Sequence, residues 1–207
     1  KNNLHVREMT ISTENYPALI LLSEIELQCT LIARAGNFLE ESAQHWIMVD
    51  KGIDDEKKAP PIDIIAQCHI CLSAAALVYK YLFPSKIRRK DPKISKRCAK
   101  LMQFLGEPEL PMIRSVKVRN SWEHIDERLD DLLSARRVQS LAPIHVSTMP
   151  LQKETFVLRH FDPLLMQIKY GAGQAIDLRA LVAEAEKLST LIKVAIQKLH
   201  GESMAIY

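Results

Sequence analysis

Eight residues near the start of the chain constrain its fold more than any other feature. Leu22, Ile25, Cys29, Ile32, Gly36, Leu39, Ala43 and Trp46 follow one another in alternating steps of three and four. At about 100° per residue such a series stays on one stripe of an α-helix, whereas strand side chains alternate with period two. Leu27, Leu31, Ala35 and Phe38 form a second stripe beside the first. The spacing predicts a helix over 17–49, with Pro17 in its first turn and neighbours on both sides.

The same rhythm returns further on. Ile65, Cys68, Leu72, Ala75, Tyr79 and Leu82 predict a helix over 62–83, separated from the first by a charged loop ending in Pro60-Pro61. A short helix is expected over 94–105, closing at Gly106. Val118, Trp122, Ile125, Leu129 and Leu132 give a helix over 111–137. Residues 138–150 read as loop, with Pro143 and Pro150. Thr155–Phe161 is rich in β-branched and aromatic residues, and Asp162-Pro163 is a turn signal. Leu164–Tyr170 then reads as the returning strand of a hairpin, although Leu164-Leu165-Met166 suits a helix equally well. Asp177 is a fair N-cap for a closing helix over 177–200, ending at Gly201. The expected fold is mainly α: a bundle of four long helices and one short one, with a small hairpin around 155–170. We take 1–207 as one domain, with a helical core over 17–136, a loop and hairpin over 138–176, and the closing helix.

Composition excludes some classes. A formal net charge of +3 does not by itself call for a polyanionic partner. No uninterrupted apolar run approaches the roughly 18 residues of a membrane span, so no membrane partner is expected. Cys29, Cys68 and Cys71 sit in apolar helical patterns, as thiols do in a reducing cytoplasm, and the expected location is cytoplasmic. The chain begins at Lys1 and not at Met, so native residues are expected before it. Cys68-His69-Ile70-Cys71 has the form of half a zinc site, but no second half follows and Cys68 is on the core stripe. No metal and no cofactor is expected. His160 reads as a lone histidine without an evident partner.

The helix over 111–137 carries the chemistry. Opposite its apolar stripe lie Asn120, His124, Glu127 and Asp131, with Arg119 on the flank. A guanidinium holds a phosphate through its planar fork, and an imidazole moves a proton near neutral pH. Asn120 lies one turn before His124 and can orient the ring. These groups suit phosphodiester cleavage in RNA. The same residues also fit a solvated helix face with Arg119 paired to Glu123.

Arg119-Asn120-Ser121-Trp122-Glu123-His124 resembles the R-x4-6-H signature of the HEPN family (higher eukaryotes and prokaryotes nucleotide-binding domains), including the polar residue directly after the arginine. The resemblance implies a small helical bundle that forms homodimers and places two motifs around one cleft. It implies a metal-independent endoribonuclease, of the kind found in toxin–antitoxin and antiviral systems, with an antitoxin or another protein as a further partner. It carries over to Arg119, Asn120 and His124 alone. Toxins of one branch have a Tyr two residues after the histidine where this chain has Asp126, so a modification of that tyrosine does not transfer. Glu123, Asp126, Glu127, Asp130 and Asp131 surround the histidine with negative charge, which raises an imidazole pKa and repels RNA unless basic groups offset it.

Such groups are at hand in the run from Lys86 to Lys100, where Arg88, Arg89, Lys93, Lys96 and Arg97 are the candidate RNA contacts. The run lacks interleaved aromatics, hence a stacking platform for bases. It can equally be a solvated face, or meet the acidic half of the motif helix. The competing function is a non-catalytic helical dimerisation or interaction protein of the same fold.

Overall fold

A computed structural model describes residues 15–53, 59–84, 90–115, 130, 140–148, 155–170 and 175–204. Helix α1 spans Tyr16–Asp50 and carries Pro17 in its first turn. Leu22, Ile25, Cys29, Ile32, Leu39 and Ala43 of the predicted stripe are buried, as is Gly36. α2 spans Pro61–Leu82 and buries Ile65, Cys68, Leu72, Ala75 and Leu82. A last helix, α5, spans Leu178–Met204. Helix α1 lies between α2 and α5. Cys71 Sγ reaches the carbonyl of Ile32 at 3.7 Å on one flank. On the other flank Arg179 forks onto Glu40 through two 2.9 Å bonds, and Lys193 lies 3.6 Å from Glu26. Contacts that rise along α5 as they fall along α1 make these two helices antiparallel.

The neighbours of α1 both use its first stripe. In the predicted second stripe Ala35 is buried, but Leu27, Leu31 and Phe38 are exposed. Period alone does not say how wide an apolar face its own chain will cover. α2 is long and apolar enough to cross a membrane, at mean hydropathy 1.6, yet half of that window is packed inside the fold.

α3 spans Pro92–Phe104 and is capped by Asp91, whose carboxylate accepts from the Lys93 amide at 2.9 Å. Gly106, at φ 73°, follows its end as expected. α4 is only Pro111–Arg114, because Ser115 turns to extended backbone. The predicted helix over 111–137 is therefore not continuous from Pro111; of the rest, 116–129 and 131–137 lie outside the described residues.

The small sheets correct the sequence reading. Residues predicted as loop contain β1 (Ser140–Ala142) and β2 (His145–Val146), and the segment predicted as one strand divides into β3 (Thr155–Val157) and β4 (Arg159–Asp162). The split follows from two different partners. β3 pairs parallel with β1, and the Leu158 amide then donates to Ala142 O at 3.0 Å, while β4 pairs parallel with β2. Long-range parallel pairing leaves no local signal.

The hairpin forms as β4 against β5 (Gln167–Tyr170), antiparallel. It turns where predicted, because Asp162 Oδ1 accepts from Leu164 and Leu165 and Met166 takes φ 49°. β6 (Ala175–Asp177) completes the order β2-β4-β5-β6. Val146, Phe161, Ile168, Tyr170 and Ile176 of this sheet are buried and join the core of α1, α2 and α5. Asp177 caps α5 through the Ala180 amide at 3.0 Å, as expected, but α5 continues past Gly201 to Met204. The fold is mainly helical with a small mixed sheet.

Candidate functional site

The basic run organises α3. Cys98, Leu101 and Leu105 are buried, and Cys98 Sγ donates to Tyr81 O at 3.3 Å, which holds this edge against the end of α2. The opposite edge is then free for charge. Lys93, Lys96 and Lys100, spaced three and four apart, are all exposed on it. Arg97 departs from the expectation: it is half-buried and its Nη2 points to Cys98 Sγ at 3.9 Å. Arg88 and Arg89 lie outside the described residues.

The lysine edge leads into a cleft of about 320 Å³ between α3 and α5, lined by Lys100, Gln103, Phe104, Ala195, Lys198 and Leu199. Lys100 Nζ stands 5.5 Å from the Phe104 ring centroid and 3.2 Å from Asn15 Oδ1. Ammonium groups on both walls favour an anion, and an aromatic edge beside them gives a base a surface to rest on. The run itself has no aromatic residue, as read from the sequence; Phe104 reaches the cleft from outside it. It lies one helical turn beyond Lys100, whose ammonium stands over its ring.

Arg119, Asn120 and His124 lie outside the described residues. The described chain stops just short of them in a firmly held segment. Glu184 of α5, buried at 9% exposure, accepts from the Met112 amide at 3.0 Å and the Ile113 amide at 2.7 Å. These are amides of the first turn of α4, which have no partner within the helix. One carboxylate thus satisfies two donors at a helix N-terminus, that of Ile113 buried and that of Met112 partly so. No sequence pattern announces it, since Glu184 sits 71 residues from Ile113 along the chain.

The histidines group unexpectedly. His145 on β2 faces His160 on β4, with their Nδ1 atoms 3.1 Å apart and their rings stacked. One Nδ1–H must donate to the other, so one ring at least is neutral there. Burial, His145 and Lys169 depress the His160 pKa, against a smaller opposing pull from Asp162. His69 of α2 stacks on Tyr170, and burial with the Arg159 charge lowers it to about 4. His160 is therefore not alone; the partner came through strand pairing 15 residues away.

Cys68 is buried, as its place on the core stripe predicted, and so is Cys71 beside it. Burial holds the Cys68 thiol well above its ordinary value and pushes Cys71 up to about 12. Thiols so disposed stay protonated near neutral pH and pack as core.

Comparison with protein-family models, with curated proteins and with solved structures finds no match in any of the three.

Proposed function

We propose that this chain is a metal-independent endoribonuclease of HEPN type. The reading rests on the motif Arg119-Asn120-Ser121-Trp122-Glu123-His124. The observation in the structure that supports an RNA ligand is the exposed lysine edge of α3 running into a cleft with Lys198 and Phe104. In this reading Arg119 binds the scissile phosphate, His124 transfers the proton, and Asn120 orients the imidazole. The 2′-hydroxyl attacks phosphorus, the 5′-oxygen leaves with a proton, and the products are a 2′,3′-cyclic phosphate and a 5′-hydroxyl end. Lys93, Lys96 and Lys100 track the RNA backbone.

A second reading, a non-catalytic interaction protein, is favoured by the exposed apolar stripe on α1. Cleavage of a mixed RNA pool in excess chelator separates the two. We expect activity that survives the chelator and vanishes in His124→Ala and Arg119→Ala, each checked for unchanged helicity and mass. Alanine at Lys93, Lys96 and Lys100 together should lower the slope of log affinity against log salt by about 2 for single-stranded RNA. Equal activity in all variants, or an unchanged slope, would remove the motif or the lysine edge from the mechanism.

A further inference from the structure

Strand β2 is held to its sheet by few contacts. Its register with β4 sets His145 opposite His160 and Val146 opposite Phe161. Just beyond, the Ser147 amide donates to Phe161 O at 3.3 Å, and Thr148 Oγ1 donates to Asp50 Oδ2 at 2.7 Å. The strap 144–148 is thus pinned at its far end to the last residue of α1. At its near end the two imidazoles bond to each other, with 3.1 Å between their Nδ1 atoms.

That bond carries a condition. An imidazole nitrogen donates when it holds a proton and accepts when it does not. A neutral pair keeps one Nδ1–H and one lone pair between the rings, and so does a pair that has gained a single proton. A pair that has gained two sets N–H against N–H across the same short gap, with like charges on both rings. The surroundings sharpen the conflict. Lys169 stands opposite His160 in the ladder with β5 and adds positive charge on the same face. Asp162, two residues along β4 on that face, pulls the other way and is outweighed by burial, His145 and Lys169. The opposite face of β4 carries Arg159, and beyond it His69 of α2, which is kept neutral down to about 4. His160 is 4% exposed, so little water reaches it to screen these charges.

Opening the strap removes the conflict. Solvated imidazoles titrate near the ordinary 6.5 and independently of each other. Below that pH the open form therefore binds more protons than the closed one, and its population rises by up to about tenfold per pH unit for each extra proton. What lies under the strap is apolar. Val146 is 7% exposed and sits beside the fully buried Phe161, and Ile144 packs on the same core.

We propose that the His145–His160 pair is a proton-operated latch, which holds the strap 144–148 on β4 while one ring is neutral and releases it on acidification, uncovering Val146 and Phe161. The bond from Thr148 to Asp50 needs neither imidazole, so the strap swings on that end. The inference uses β2 and β4 and does not depend on RNA cleavage.

Amide hydrogen exchange of the full chain tests it, with rates corrected for the intrinsic effect of pH on exchange. Between about pH 7 and about pH 5, protection of the Ser147 amide should fall roughly ten- to thirty-fold, while the amides of β5 keep theirs. Glutamine takes up no proton and can still accept from a charged His160, so His145→Gln should remove most of that fall. His145 is only half-buried, which makes this the milder exchange; His160→Gln should act in the same direction. Imidazole resonances of the wild type should show the pair taking up its protons in two separate steps. Ser147 protection that stays level to about pH 5, an equal loss throughout β5, or an undiminished fall in H145Q would each overturn the proposal. So would two imidazoles that titrate independently near 6.5 with the strap still closed.

Discussion

Replacing Gly36 by alanine sets two effects of similar size against each other. In a helix interior the exchange alone favours folding by about 1 kcal/mol, because glycine loses more backbone freedom. Here an added Cβ would overlap Cγ2 of Val182 on α5, with Cγ1 3.2 Å and Cβ 3.4 Å away. Rotation about χ1 gives no relief, since valine in a helix has one strongly preferred rotamer and turning it exchanges one methyl for the other. Helices α1 and α5 must instead move apart, and overpacking of this kind costs about 1–3 kcal/mol. The balance is a loss of about 1 kcal/mol, or about 2–4 °C in Tm for a chain of this length. Val182→Ala removes both methyls and with them the obstacle. In that background Gly36→Ala should stabilise by about 1 kcal/mol, giving a coupling of about 2 kcal/mol in the cycle. Urea unfolding followed by far-ultraviolet circular dichroism measures all four corners. If Gly36→Ala raised stability equally in both backgrounds, the close approach of α1 and α5 at this point would be wrong.

Glu184→Ala leaves the Met112 and Ile113 amides without their acceptor and should cost about 2–4 kcal/mol, with Glu184→Gln losing less; a change under about 0.5 kcal/mol in urea unfolding would mean the carboxylate does not hold α4. Stability should also fall with acidity between about pH 6.5 and about pH 4. His69 takes up a proton at the ordinary 6.5 when unfolded but only near 4 when folded, so protonation favours the unfolded chain throughout that window. His160 is displaced in the same direction. Solvent reaching the half-buried His69 ring limits its share to about 1–2 kcal/mol, and a His69→Gln variant whose unfolding free energy falls just as steeply between pH 7 and pH 5 would refute the assignment.

The helices were legible because their evidence is local. α1, α2 and α5 begin within a residue or two of where period and caps place them, and Asp177 and Gly106 act as their chemistry predicts. What escaped depends on residues far apart in sequence. β1 and β2 are two or three residues long and form only because β3 and β4 supply parallel partners. The His145–His160 pair and the Glu184 clamp arise from those long-range placements, and neither leaves a spacing to read. The lysine edge was half legible: its period of three and four is plain in the sequence, but that Arg97 turns to Cys98 and Phe104 joins the cleft is decided by packing.

The second stripe of α1 was misassigned for a reason that bears on function. Hydrophobic period reports which residues a helix hides and says nothing of whose chain hides them. Leu27, Leu31 and Phe38 read as core because they repeat like core, yet α2 and α5 both pack on the first stripe and leave them at 36–51% exposure. Single exposed apolar residues are ordinary on a protein surface, and Leu27, Leu31 and Phe38 differ from that only in recurring along one face of the helix. The expectation of neighbours on both sides of α1 is met by α2 and α5, but both pack on the first stripe, so the second is surface where the spacing alone made it core.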